Sequence, residues 1–302
     1  MAESDEWTIG RLLSWTTDFL RSHGSEAPRL EAEVLLAHAR GCSRVALYTA
    51  YAELADQKLR DQFRDLVKRR SKGEPVAYLV GHKEFYSLDF EVNRDVLVPR
   101  SETEHLVMAA IDWVRRREKP SAAGQPMRIA DLCTGSGCVA VAIAKHLAGA
   151  RVVACDRSPR ALEVARRNVR RHQMEDRVVL VESNLMEPPF PEGPFDLIVS
   201  NPPYVTTSEY SQLDRQVKDH EPREALEAGE DGLAVIRPLI AQSLGRLVPG
   251  GGLMIELSPS IAGSVLAHLQ SQGGWDAIGC TKDLAGHDRI VHATARGPLP
   301  SS

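Results

Sequence analysis

The sequence of 302 residues predicts a doubly wound α/β domain preceded by a small all-helical one. Three observations carry this. From residue 127 onward, short apolar strand-like runs alternate with helical patterns, which makes a mostly parallel sheet covered on both faces. The first of those strands runs into a glycine-rich turn that opens a helix. Residues 8–70, by contrast, show helical periodicity and no strand-like alternation.

In the N-terminal part, Ile9, Leu12, Leu13, Thr16, Phe19 and Leu20 fall on one face of a first helix. Val34, Leu35 and Leu36 mark a second helix, and Leu59, Phe63, Leu66 and Val67 a third. The third ends in Lys68-Arg69-Arg70, cations where the helix dipole favours them, and then meets Gly73 and Pro75. The segment from Tyr78-Leu79-Val80-Gly81 through Val92 is rich in β-formers and reads as a hairpin, with Leu88, Phe90 and Val92 alternating. Ser101 and Glu104 have the spacing of a capping box ahead of Leu106, Val107, Ala110, Ile111 and Val114. The strands expected next are Met127–Leu132, Arg151–Cys155, Val178–Val181, Phe195–Ser200, Gly252–Leu257 and Arg289–Thr294. Helices are expected over 138–147, 158–171, 232–247 and 259–271. The resulting domains are residues 1–75 (helical), 76–98 (hairpin linker) and 99–302 (α/β).

Composition narrows the function classes. A net charge of −4 argues against a protein held on nucleic acid by bulk electrostatics, and predicts no stable nucleic acid binding. The basic clusters at Arg115-Arg116-Arg117 and at Arg166, Arg167, Arg170 and Arg171 lie on helical patterns and read as solvated faces. Cys42, Cys133, Cys138, Cys155 and Cys280 form no C-x-x-C pair and have no histidine at metal-ligand spacing, so no metal site is expected and the thiols read as reduced. The acidic start lacks the pattern of a secretory signal, and no apolar run approaches the roughly 20 residues that span a bilayer. A cytoplasmic location is the expectation, with no membrane partner.

Chemistry concentrates at the strand ends. Asn201-Pro202-Pro203-Tyr204 follows the apolar strand Leu197-Ile198-Val199-Ser200. Paired prolines stiffen this loop, and the residue before a proline is pushed out of the helical region. The Asn201 side-chain oxygen and the Pro202 carbonyl then form a rigid acceptor pair with the Tyr204 ring beside it, which suits a planar NH2 group. A proline turn after a buried strand is the plainer reading, and Pro-Pro alone would favour it; Asn201 and Tyr204 tip the balance.

A cofactor turn precedes it. Asp131-Leu132-Cys133-Thr134-Gly135-Ser136-Gly137-Cys138-Val139-Ala140 contains G-x-G-x-x-A, and Asp156 lies at the end of the second strand, where a carboxylate meets a ribose. The glycines by themselves fit NAD as well. Asp131, placed before the loop to meet a cationic amino-acid end, and the amine-presenting tetrapeptide favour S-adenosyl-L-methionine. That makes the α/β part a class I, Rossmann-like, S-adenosylmethionine-dependent methyltransferase domain. Asn184 and Leu185, after the third strand, are placed to bound an adenine, although an asparagine there also serves turn chemistry. The candidate cofactor residues are therefore Asp131, Cys133, Thr134, Gly135, Ser136, Gly137, Asp156, Asn184, Leu185 and Asn201; the candidate catalytic ones are Asn201, Pro202 and Tyr204, with Pro203 completing the substrate site.

Together with these residues, Gly73-Glu74-Pro75-Val76-Ala77-Tyr78, Gly81-His82-Lys83-Glu84-Phe85-Tyr86, Val98-Pro99-Arg100-Ser101-Glu102-Thr103-Glu104, His220-Glu221-Pro222-Arg223-Glu224-Ala225-Leu226, Asp231-Gly232-Leu233 and Asp283-Leu284-Ala285-Gly286-His287-Asp288-Arg289 give the chain its likeness to a known family. It resembles the HemK/PrmC family, the N5-glutamine methyltransferases of peptide chain release factors, over nearly its whole length. The resemblance implies methyl transfer from S-adenosylmethionine to the amide nitrogen of the glutamine in a Gly-Gly-Gln loop, class 1 release factors as protein substrate, and a monomer whose helical module grips the release factor. His220 and Glu221 are candidates for proton removal, with anchoring of the substrate-side loop the favoured role. Cys133 stands where the family usually has glycine, Ala228-Gly229 replaces Gly-Gly, Asn184 occupies a position that is often Asp, and Glu256-Leu257-Ser258-Pro259 lacks the usual glycine. The competing readings are a glutamine methyltransferase of a ribosomal protein, an exocyclic-amine nucleic-acid methyltransferase, an NAD-dependent oxidoreductase and a non-catalytic S-adenosylmethionine-binding adaptor.

Overall fold

The computed structural model describes residues 6–117, 126–191 and 193–296. By internal contacts the chain divides into two units, the first comprising the N-terminal residues through His82 together with Asp214–His220, the second beginning at Lys83 and comprising the rest.

The first unit holds α1 (Ile9–Ser22), α2 (Pro28–Arg40), α3 (Arg44–Thr49), α4 (Gln57–Arg70) and α5 (Val76–Val80). Thr8 caps α1 by accepting from the Arg11 N–H, and Asp56 caps α4 by accepting from Leu59, so each start satisfies an otherwise orphaned donor. Pro28 opens α2 and Gly41, at φ 68°, closes it. Leu13, Leu20, Leu35, Leu36, Leu47 and Phe63 form its core. Phe19 is only partly buried and stacks on Trp15, 5.0 Å between ring centroids, instead of joining that core fully. The six-residue α3 escaped the periodicity reading because a single residue of it, Leu47, is buried. Residues 76–80 are helical, not strand-like: Pro75 sets the start and Gly81, at φ 79°, ends the turn before the hairpin.

In the second unit, the hairpin strands β1 (His82–Phe85, mostly in this unit) and β2 (Leu88–Glu91) lead to α6 (Glu104–Arg116). The capping box expected at Ser101 does not form; Ser101–Thr103 is a 3-10 turn, and the Glu104 carboxylate accepts from the Tyr86 N–H. A working capping box lies instead at Thr206 and Glu209, opening α9 (Thr207–Gln212). The main elements then run β3 (Met127–Leu132), α7 (Cys138–His146), β4 (Ala150–Asp156), α8 (Pro159–Arg171), β5 (Val178–Glu182) and β6 (Phe195–Ser200). After α9 and the short α10 (Arg215–Lys218, in the first unit) come α11 (Ile236–Leu244), β7 (Leu247–Glu256), α12 (Ala262–Gln272), β8 (Trp275–Lys282) and β9 (Asp288–Ala295).

The seven-stranded sheet has the order β5-β4-β3-β6-β7-β9-β8. β3 pairs in parallel with both β4 and β6, and β9 runs antiparallel to β7 and β8. Chain connections leave the centre in opposite directions from β3 and β6, so the crevice at their carboxyl ends is the switch point at which open α/β sheets bind ligands. One face packs Ile129, Val141, Leu106 and the hairpin's Phe85 and Phe90; the other packs Leu132, Ile198, Leu239 and Val265. The β8 strand was missed in the sequence because it is an edge strand with mixed burial and a register shift between Asp276 and Gly279. Among the described residues no helix is long and apolar enough to cross a membrane.

Candidate active site

The turn after β3 is held from below by its own acid. Asp131, 1% exposed, accepts from the Thr134 hydroxyl at 2.6 Å and from the Ala140 N–H at 3.1 Å, tying both sides of the turn together. Burial pushes its carboxyl up to about 7, against the pull of those two hydrogen bonds. Asp156, at the end of β4, accepts from Gly135 N–H at 2.9 Å and from Ser158 N–H at 3.0 Å, and burial raises it as well. Two carboxylates thus flank one glycine turn, and among the described residues neither forms an ion pair with a guanidinium.

Gly137 sits at φ 79° as the N-cap of α7, and a Cβ there would come within 3.2 Å of the Ala165 Cβ. Only glycine meets both demands without displacing α8. Cys133 also adopts a left-handed backbone, at φ 59°, which glycine takes freely and an L residue does not. Burial, and then the nearby Asp156 charge, push the Cys133 thiol up, so it stays protonated and makes no nucleophile. Leu185 is buried, also at positive φ (54°), with its carbonyl accepting from the Cys155 thiol at 3.2 Å.

The tetrapeptide leaves β6 at the adjacent strand end. Pro202 and Pro203 are buried, Asn201 and Tyr204 half-buried. Val205 then bridges to Glu227, with hydrogen bonds from Val205 N–H to the Leu226 carbonyl and from Ala228 N–H to the Val205 carbonyl. Gly232, at φ 73°, lets the chain pass where a Cβ would lie 2.5 Å from the Tyr204 carbonyl oxygen, which gives the Asp231-Gly232-Leu233 segment a role in seating the loop. Asn201 donates from Nδ2 to the Thr103 hydroxyl at 3.0 Å. Its Oδ1 is thereby left as the acceptor end.

One cleft collects these groups. Asp131, Cys133, Thr134, Gly135, Ser136, Asp156, Asn184, Leu185, Asn201 and Pro203 all line it. Gly137, Pro202 and Tyr204 are not among its walls. The structure adds Val96, Leu97, Arg100, Thr103, Arg157 and Val235. Of these, Arg100 and Thr103 lie in the Val98–Glu104 segment that carries part of the family resemblance; the others lie in none of the segments that do. Glu221 is committed to the Val98 N–H and the Arg100 guanidinium, so it anchors the wall that carries Arg100. Among the described residues no cluster of His, Cys, Asp and Glu fits a metal ion.

A seven-stranded sheet in this order, with a glycine turn after its central strand and a carboxylate after the next, defines a class I methyltransferase, a class that draws on S-adenosylmethionine. Residues 120–221 match the "Methyltransferase small domain" family, and a methyltransferase structure from Pyrococcus furiosus covers 76% of the chain, and 99% of its own, at TM-score 0.51 and 20% identity, which speaks for the fold alone. Residues 11–81 match the "PrmC N-terminal domain" family. The release factor glutamine methyltransferase of Rhodopirellula baltica is 49% identical over 96% of this chain and 98% of its own length, and that of Geobacter sulfurreducens 42% identical over the same shares. The chain belongs to the release factor glutamine methyltransferase family.

Proposed function

We propose that the protein methylates the side-chain amide nitrogen of the Gly-Gly-Gln glutamine in class 1 peptide chain release factors, in support of translation termination. Its full-length relatives carry that name, and one observation in the site supports the chemistry: Asn201 is held by Thr103 so that its oxygen, not its NH2, is the free end.

The residues around the glycine turn fit S-adenosylmethionine. Asp131 and Asp156 are buried enough to be raised and form no ion pair among the described residues, so a cationic ligand and a ribose diol would satisfy what the fold leaves open. Leu185 supplies an apolar wall and Asn184 an acceptor. When bound, S-adenosylmethionine supplies a methyl group on an electrophilic sulfonium. The protein's task is alignment, because an amide nitrogen is a poor nucleophile, its lone pair being delocalised into the carbonyl. Asn201 Oδ1 and the Pro202 carbonyl accept the two amide hydrogens, which holds the nitrogen with its lone pair toward the cofactor. Pro203 keeps that geometry stiff and Tyr204 flanks the amide plane. Positioning of this kind supplies up to about 7–11 kcal/mol in the best intramolecular cases. Residues 1–75 act as the substrate-recognition module, 76–98 as the linker and 99–302 as the catalytic domain, in a cytoplasmic monomer.

Labelled S-adenosylmethionine offered in parallel with release factor, ribosomal protein, tRNA and DNA tests the substrate. Label on the release-factor glutamine is expected; label elsewhere and none there refutes the assignment. Asn201→Ala should lower transfer by about 100-fold or more while cofactor binding, read by calorimetry, persists.

A further inference from the structure

We infer that Thr103 and Glu256 form a directional hydrogen-bond relay that sets which end of the Asn201 amide faces the substrate. This deepens the amide-presenting reading of Asn201 and rests on it. The observations are geometric. Asn201 Nδ2 donates to Thr103 Oγ1 at 3.0 Å, and Thr103 Oγ1 donates to Glu256 Oε1 at 3.1 Å. Thr103 occupies the N-cap position of α6, where threonine ordinarily caps the helix, yet makes no side-chain cap bond. Its hydroxyl is turned to the sheet instead. Glu256 ends β7, is 1% exposed, and leaves Oε2 without a hydrogen-bond partner. A buried carboxylate with one bond to a neutral hydroxyl is a poor device for stability.

It is a good device for direction. A threonine hydroxyl both donates and accepts, and an amide can turn its oxygen or its nitrogen toward that hydroxyl with little change in shape. Only an end that cannot donate fixes the order of the chain. An ionised Glu256 is acceptor-only, so the single Thr103 proton must point to it, the Thr103 lone pair must take the Asn201 NH2, and Asn201 Oδ1 is presented as acceptor. A protonated Glu256 can donate to Thr103, free the hydroxyl proton for Asn201 Oδ1, and turn the amide so that its NH2 opposes the substrate NH2. Around the Glu256 carboxylate stand Arg289, which favours its charge, and Glu102, which opposes it; the Tyr204 hydroxyl and the Cys138 thiol also sense it. Burial dominates and raises it to about 7, so the relay would change direction in a range accessible to kinetics.

The test is the pH dependence of kcat at saturating S-adenosylmethionine and release factor, so that any titration of Asp131 expressed as cofactor affinity drops out. The wild type should lose kcat as pH falls through about 7. Glu256→Gln should lose that acidic limb. Thr103→Val should lose the limb and lower kcat about 100-fold, with cofactor affinity unchanged, and Thr103→Ser should restore most of the loss. Wild-type kcat in Thr103→Val, or an acidic limb that survives in Glu256→Gln, overturns the relay while an inactive Asn201→Ala leaves the amide-presenting reading standing. An active Asn201→Ala overturns both.

Discussion

Carboxylates packed within the helical unit are tied to arginines, whereas Asp131 and Glu256, near the carboxyl ends of β3 and β7, form no such pair among the described residues. Glu31 grips Arg70 through two bonds of 2.8 and 2.9 Å, Glu74 grips Arg69 likewise, and Glu33 collects Arg29, Arg44 and the Tyr48 hydroxyl. Burial pushes Glu33 up, but these partners outweigh it and hold its carboxyl below the ordinary 4.5. Asp131 and Glu256 meet hydroxyls and, for Asp131, one backbone N–H, and both are raised to about 7. The same residue type therefore serves two ends. Where a carboxylate is paired it locks helices; where the fold leaves it without a firm cation, it is poised for a ligand or for setting a neighbour's orientation.

The largest test of this contrast is Glu31→Ala, which strands the Arg70 guanidinium (side chain 5% exposed) and should cost about 3–5 kcal/mol in denaturant unfolding. A loss below 1 kcal/mol, on the order of a surface pair, would erase the difference between the regions. Next comes pH. Asp131 and Glu256, raised from ordinary values of 3.8 and 4.5, hold protons in the fold that the unfolded chain has released. The stability they contribute is fully present below those ordinary values and is lost as pH rises through about 7, a change of about 4 kcal/mol for Asp131 and about 3 kcal/mol for Glu256. Glu33, lowered, works in the opposite sense: its contribution is present above 4.5 and lost as pH falls through the folded value. Peptide-resolved hydrogen exchange across pH 3–8 should show the β3 and β7 ends loosening upward and α2 loosening downward.

A smaller effect is expected for Asp131→Asn in two measurements. Without cofactor its stability should match or exceed the wild type, because a desolvated charge is gone and an acceptor oxygen remains; S-adenosylmethionine affinity should fall by about 10- to 100-fold, the worth of a charged hydrogen bond. Unchanged affinity would remove Asp131 from the cofactor site. Smallest of all, Cys133→Gly relieves the left-handed backbone at φ 59° and should shift stability by about 1 kcal/mol or less, with activity retained.

The strands of the sheet could be read from the chain because β3, β4 and β6 are buried on both faces and so appear as apolar runs. The residues that bring chemistry to the strand ends were legible for the same reason, since each sits directly after such a run. What could not be read was contact across the sheet. Thr103 lies 98 residues from Asn201 and 153 from Glu256, and the capping box read beside it, from Ser101, is a local use that the tertiary structure overrides. Glu104 was misread likewise, since its carboxylate is claimed by Tyr86 eighteen residues back. Edge strand β8 and the short α3 were lost because half-buried elements carry little periodicity.

Asn168 on α8 has a further consequence. Fully buried, it accepts from Glu91 N–H at 2.7 Å and donates to the Glu91 and Ser136 carbonyls, each at 2.9 Å, so one primary amide stitches the hairpin to the glycine turn. Hydrolysis of that amide to aspartate would turn both donors into acceptors facing two carbonyl oxygens. Asn168→Asp should therefore loosen hairpin and cofactor turn together, and unchanged exchange protection at both places in that variant would contradict it.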